Sequence, residues 1–387
     1  MQMQSQQTNV IKGQTFPRVL LLSDSPVLAG TERHMLDLAR GLKELGTPVA
    51  VGCPTISALA KGAAKLEIHT YCAPKKNYLP RMLGIIRRAL AQGEVDLIHA
   101  HNGVSHIIAT AAIALAGRGQ CVSTHHFLAP ARTKRKGLSG MLTRSIHSWA
   151  ANRTACFIAI SHAVAQACSD RAPNVPTHVI HNGIFPAKSG GRSASDIRAE
   201  FSIPADVRFI VCAARLDPEK SVETLIEAIK LLRHRMPDIF CLIAGEGKER
   251  DRLQSLIETL GLTQFVRLAG FQEDVGSIIE AADVFVLPSF CEPLGLVILE
   301  AMYLKTPVIA AAAGGPLELI ENKKTGLLFT PKDSADLSYK LQHLLSDNKS
   351  AESIIRGART AVEQQFNAIG MSVRILDVYR SVLAANR

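Results

Sequence analysis

Short apolar runs alternate with helix-period segments along almost the whole chain, in two successive series. In the first series the runs fall at 18–23, 49–54, 95–99, 121–125, 156–160 and 177–180. In the second they fall at 208–214, 240–245, 265–270, 283–288, 307–312 and 326–329. Amphipathic patterns such as 31–45 occupy the gaps. Continuous apolar runs are strands covered on both faces, and strands alternating with helices build a parallel sheet. The pattern therefore predicts an α/β chain with two doubly wound, mainly parallel sheets. Residues 185–196 (FPAKSGGRSASD) separate the series and carry the Pro, Gly and Ser of a linker. The expected units are residues 1–185, a linker over 186–196, a second unit over 197–370, and a terminal helix over 371–387.

A length of 387 residues suits two domains, and 47 % hydrophobic residues supply two cores. The eight cysteines lie scattered in apolar runs with no Cys-x-x-Cys, as small buried hydrophobes of a reducing compartment do. Residues 1–7 are polar, without the apolar core of a secretory signal, and the longest apolar stretch, 106–117, is too short to span a bilayer. These features lead us to expect a cytoplasmic chain, soluble or peripheral on a membrane. The net charge of +10 is one-sided: residues 1–187 hold 20 Lys and Arg against 8 Asp and Glu, the remainder 24 against 26. An anionic partner for the first half is expected, and the absence of a nucleic-acid-binding motif favours a membrane surface over nucleic acid.

The stretch 289–302 (SFCEPLGLVILEAM) carries the most chemistry. It follows the apolar run 283–288 and leads into a helix expected over 294–304. Glu292 therefore stands in a loop at the carboxyl end of a strand, where open α/β sheets bind ligands. Gly295 lets the amides at the helix start, including Leu296, approach a phosphate closely. Glu300, within the helix, can grip a diol such as a ribose edge. Arg215-Leu-Asp-Pro-Glu-Lys220 follows the first strand of the second series and sets a guanidinium and an ammonium at the same sheet edge. In the first half, Gly30 joins the first strand to its helix and allows close backbone approach. His125 and His126 end one strand. His99 and His101 end another, and with no further ligand evident nearby they read as packing, not as a metal site.

The stretch 289–302, continued by 307–310 (PVIA) and 314–320 (GGPLELI), resembles the signature of retaining glycosyltransferase family 4, a large group of nucleotide-sugar transferases with the GT-B fold. The resemblance implies two Rossmann-like domains facing one another across a cleft, with a C-terminal helix crossing back. It implies that Glu292 meets the transferred sugar, that Glu300 holds the ribose, and that Arg215 and Lys220 bind the diphosphate. A histidine two residues after a strand-end threonine contacts the sugar in this family; that rule selects His126, with His125 the alternative. Gly30 matches the family's loop glycine, although Ala29 stands where a second glycine is usual. Phe185 replaces the aspartate usual after Asn182-Gly183, a turn that reads as a hinge.

No Asp-x-Asp occurs in the sequence, so protein cations and amides are expected to meet the leaving diphosphate without a metal. The expected activity is transfer, with retention, of a sugar from a nucleotide donor to a glycan acceptor that is lipid-linked or a lipopolysaccharide or exopolysaccharide precursor. The nucleotide sugar is co-substrate and no other cofactor is expected. A sugar-nucleotide 2-epimerase of the same fold is the alternative. A nicotinamide dehydrogenase is disfavoured because no Gly-x-Gly-x-x-Gly follows the first strand. Two basic amphipathic stretches, 75–88 and 132–149, are candidates for an anionic membrane surface; the second carries Lys134, Arg135 and Lys136 ahead of Leu138, Met141, Leu142, Ile146 and Trp149.

Overall fold

The computed structural model describes residues 16–27, 29–128, 138–186 and 190–385. The chain divides into two compact units, Met1–Phe185 with Asn367–Arg387, and Pro186–Phe366.

The first unit is built on seven parallel strands: β1 (Val19–Leu22), β2 (Val49–Pro54), β3 (His69–Ala73), β4 (Leu97–Ala100), β5 (Gln120–His125), β6 (Cys156–Ala159) and β7 (Thr177–Val179). Their order is β3-β2-β1-β4-β5-β6-β7. Successive β1 side chains enter opposite cores. Val19 and Leu21 pack with Met35 and Leu38 of the helix Gly30–Glu44 and with Met371 and Tyr379. Leu20 and Leu22 pack with Met82 and Ile86 of the helix Tyr78–Ala91 and with Ile108. Burial on both faces is why β1 reads as an unbroken apolar run.

The second unit has six parallel strands: β8 (Arg208–Ala213), β9 (Ile239–Ala244), β10 (Val266–Gly270), β11 (Val284–Leu287), β12 (Val308–Ala311) and β13 (Leu327–Phe329), in the order β10-β9-β8-β11-β12-β13. β8 and β11 are neighbours, with Val211 opposite Phe285, so the chain reverses direction across the sheet between them. The loops that leave these two strands therefore meet at a topological switch point, where such sheets bind ligands.

Four expectations need correction. The edge strand β3 (HTYCA) went unread because only Ala73 is buried and no apolar run marks it. The run 95–99 becomes a strand only at Leu97, because Asp96 instead takes the backbone amide and guanidinium of Arg18 at 3.0 and 2.7 Å. The helix expected from 294 starts at Leu296, since Gly295 sits at φ +98°, outside helical space. The expected linker 186–196 is partly helix: Ser193 and Asp196 form a reciprocal capping box that starts the helix Ala194–Glu200. Its basic start is pinned too, with Arg192 bonding Asp274 at 3.0 Å.

The helix Ala368–Ala384 belongs to the first unit, where Ser372 lies against Gly41 and the Tyr379 hydroxyl is 2.6 Å from His99 Nδ1. A Cβ at Gly183 would come within 2.2 Å of the Asn367 carbonyl oxygen, which explains glycine in that turn.

Candidate active site

At the switch point of the second sheet, β8 runs into the Arg215 loop and then a 3-10 turn, Pro218–Lys220. Proline supplies the fixed φ that opens the turn, and Ser221, at φ +49°, closes it and begins the helix Val222–Leu232. The turn aims Lys220 across to the loop after β11. Its Nζ donates to Glu292 Oε2 at 2.6 Å, and both side chains are nearly buried. The Phe290 amide donates to the Glu219 carbonyl at 3.2 Å, tying the two loops by backbone as well. Arg215 pairs within its own loop, bonding Asp217 and, at 3.1 Å, Glu219. It is the more exposed cation, whereas Lys220 is the one fixed beside Glu292. An ammonium carries three donors, so Lys220 can hold Glu292 and still offer hydrogen bonds to phosphate oxygens.

Glycines hold the Glu292 loop. Gly315 donates its amide to the Glu292 carbonyl at 2.8 Å, and a Cβ there would lie 2.1 Å from Leu294 Cα. A Cβ at Gly314, itself at φ +66°, would lie 2.3 Å from the Glu292 carbonyl oxygen. Gly295 then places Leu296 at the start of the helix Leu296–Tyr303. Glu300 lies half-buried four residues on, on the same helix face as Leu296. Sequence reasoning missed Gly245 and Gly247, which follow β9 and press on the Arg215 loop. A Cβ at either would strike a loop carbonyl, that of Ala214 at 1.9 Å or of Leu216 at 2.3 Å. The Gly-x-Gly after an apolar run was the available signal.

In the first unit, Gly30 opens its helix with an exposed start. The loop before it is anchored by the buried Glu32, whose carboxylate accepts from the Ser23 hydroxyl at 3.1 Å and the Ala29 amide at 3.2 Å. His125 and His126 both line a cavity of about 400 Å3, with His106, His147, Arg144 and Phe157. His125 packs edge-on against Phe157 at 4.5 Å, and burial, reinforced by Arg171, pushes its pKa down to about 3. His126 is buried against His101, with Nε2 3.3 Å from His101 Nδ1. Burial holds His126 neutral, far below the usual imidazole range. The expectation that nothing joins His101 as a ligand is overturned: among the described residues, nitrogens of His34, His101 and His126 all lie within 4.8 Å of one another.

The basic stretch 75–88 turns its apolar stripe inward: Tyr78, Met82 and Ile86 are core residues of the helix Tyr78–Ala91. The helix Leu138–Ala151 differs, exposing Met141, Leu142 and Ile146. Lys134, Arg135 and Lys136 lie outside the described residues. Among the described residues no helix is long and apolar enough to cross a membrane.

Two doubly wound parallel units, one with a lysine–glutamate pair beside a glycine-led helix at its switch point, define a nucleotide-handling enzyme of the Rossmann type. Residues 28–188 match the family model described as Glycosyltransferase Family 4, and residues 193–361 that described as Glycosyl transferases group 1. The chain is 31 % identical over 302 residues to the glycogen synthase of Mycobacterium tuberculosis, covering 76 % of this chain and 69 % of that one. It is 30 % identical over 232 residues to LpsE, the lipopolysaccharide core biosynthesis glycosyltransferase of Rhizobium meliloti, spanning 60 % of this chain and 65 % of the relative. The crystal structure of Anabaena HepE in complex with UDP and glucose superposes with a TM-score of 0.80 at 25 % identity, over 94 % of this chain and all of HepE. The chain belongs to glycosyltransferase family 4 and has the GT-B fold, and is a nucleotide-sugar-dependent glycosyltransferase.

Proposed function

We propose that the enzyme transfers a hexose, with retention and without a metal, from a UDP-sugar to a hydroxyl of a lipid-linked glycan or a lipopolysaccharide or exopolysaccharide precursor, working on the cytoplasmic face of a membrane. The observation that carries this reading is the Lys220–Glu292 pair at the switch point, 2.6 Å apart beside the helix start at Gly295. As the bond from the anomeric carbon to the diphosphate oxygen breaks, its electron pair goes to that oxygen. Lys220, Arg215 and the amides near Gly295 and Leu296 meet the growing charge with groups already in place. Glu292 positions the sugar while positive charge develops on the ring, and Glu300 holds the ribose. His126 contacts the sugar and Gly30 a phosphate or sugar oxygen, roles the family resemblance implies. The acceptor's proton passes to the departing phosphate.

UDP is favoured because HepE was solved with it, and a cell-envelope glycan because LpsE works in lipopolysaccharide core biosynthesis. Retention follows from the family resemblance. The exposed Met141, Leu142 and Ile146, in a half of the chain that carries the basic excess, support membrane contact. The alternative, epimerisation of the sugar nucleotide, needs no acceptor. A thermal-shift screen of UDP-sugars on the purified chain, followed by product analysis with and without acceptor glycans, tests the reading. Stabilisation by a UDP-sugar and acceptor-dependent release of UDP are expected, both insensitive to chelator. Loss of one preorganised donor costs on the order of a hundredfold in turnover, so Lys220→Ala and Arg215→Ala should each fall about that far. Turnover within twofold of the parent in both variants, or isomerisation without acceptor, overturns the proposal.

A further inference from the structure

Three histidines from separate elements of the first unit converge without any carboxylate among them. His34 lies in the helix that leaves β1, His101 directly follows β4, and His126 directly follows β5. β4 and β5 are adjacent in the sheet, and the helix Gly30–Glu44 brings His34 over their ends, with ring centroids 5.4 Å from His101 and 5.0 Å from His126. All three are buried: His34 and His101 are 1 % exposed and His126 is 7 % exposed.

A packed, mutually bonded imidazole cluster would explain the convergence only if its nitrogens were satisfied. Among the described residues they are not. Both ring nitrogens of His34, the residue that faces the other two, are buried with no hydrogen-bond partner. Buried polar atoms without partners are uncommon and call for a cause.

We propose that His34, His101 and His126 form a three-histidine site for a borderline transition-metal ion, Zn2+ first, with the fourth position open to water from the adjoining cavity. The geometry fits. With Zn–N bonds of about 2.0–2.1 Å, the edge of a tetrahedral site is roughly 3.3 Å, and His101 Nδ1 stands 3.3 Å from His126 Nε2 in a hydrogen bond that a metal ion would replace. The third nitrogen, on His34, lies within 4.8 Å of both. An all-imidazole set selects zinc, cobalt, nickel or copper over magnesium, calcium or manganese. His126 and His101 also line the cavity of about 400 Å3, which gives an entry path. Because His126 is the residue assigned to sugar contact, a bound ion removes it from that role, so zinc inhibits transfer. That consequence rests on the proposed function; the site itself does not.

The test is metal binding by the full chain, with no sugar nucleotide present. Metal-free protein is titrated with Zn2+ and, separately, with Co2+, whose visible absorption reports coordination number and ligand type. One equivalent is expected to bind at micromolar or lower concentration, with a tetrahedral cobalt spectrum lacking thiolate charge transfer. X-ray absorption at the zinc edge should show a shell of nitrogen and oxygen near 2.0 Å, with imidazole multiple scattering and no sulfur. His34→Leu, which leaves the strand ends untouched, should weaken binding at least a hundredfold. UDP-induced thermal stabilisation reports separately whether the variant is folded and whether the donor reading holds. Equal affinity in parent and variant, a sulfur-containing shell, or no binding by the parent at millimolar zinc would overturn the site. Should His34→Leu fail to fold, the zinc-edge spectrum of the parent alone decides.

Discussion

Removing the Lys220 side chain tests the switch-point geometry most directly. In Lys220→Met the stem length is kept and the ammonium is lost. Glu292, whose side chain is 9 % exposed against 14 % for Lys220, is then left as a nearly buried carboxylate without its cation. Breaking such a pair from one side costs about 3–5 kcal/mol, most of it the uncompensated charge left behind. A domain of 150–250 residues shifts its melting midpoint by roughly 2–4 °C per kcal/mol. The transition of the unit Pro186–Phe366 should therefore fall by about 6–20 °C in calorimetry. Lys220→Met combined with Glu292→Gln removes both charges and should recover more than half of that loss. The argument fails if the single variant loses under ~1 kcal/mol, because the carboxylate would then be solvated or otherwise paired. It fails equally if the double variant is no more stable than the single one.

Gly315→Ala should displace the Glu292 loop, since the added Cβ falls 2.1 Å from Leu294 Cα. Donor affinity should drop at least tenfold by calorimetric titration while far-ultraviolet circular dichroism stays unchanged, and parental affinity would contradict the role given to the glycine pair. The first unit should lose stability in mild acid. Burial, then His147, hold His106 at a pKa of about 4 against an ordinary 6.5, so the unfolded state binds the extra proton; stability is complete above about pH 6.5 and falls toward pH 4. His106→Gln, which can still bond Thr154, should flatten that slope in denaturant titrations at pH 7 and 5, and an unchanged slope would rule His106 out as its source. Binding to anionic vesicles should weaken with added salt, and replacing Met141 and Leu142 by Ser should reduce it; equal partition onto neutral vesicles would refute an electrostatic surface.

The fold was legible wherever strands are buried on both faces. β1, with all four residues buried, and β11, likewise, leave no ambiguity in the sequence. β3 escaped because an edge strand has one neighbour and a half-exposed surface, so residues such as His69 and Thr70 serve as well as valine. Helix starts were misjudged where one residue overrides a periodic pattern. Leu294 is buried, like Ile298 and Leu299 of the helix that follows, yet Gly295 at positive φ breaks the helix between them. Ser193-Ala-Ser-Asp196 misled in the opposite direction: its composition is that of a linker, while its spacing is that of a capping box.

The site divides along the same physical line. Lys220 and Glu292 could be read from sequence because each follows a strand recognisable by itself, and parallel strands deliver their following loops to one edge. That the two residues touch was not readable, because it depends on β8 and β11 being neighbours, which no local pattern reports. His34 lay further out of reach. It sits in mid-pattern on an amphipathic helix, where a lone histidine signifies nothing, and its partners follow strands far along the chain. His34, His101 and His126 come together only when the β1–helix crossover is laid across β4 and β5. The crossover that makes this fold recognisable thus also hides such a cluster: it gathers side chains by topology, and sequence spacing keeps no record of the gathering.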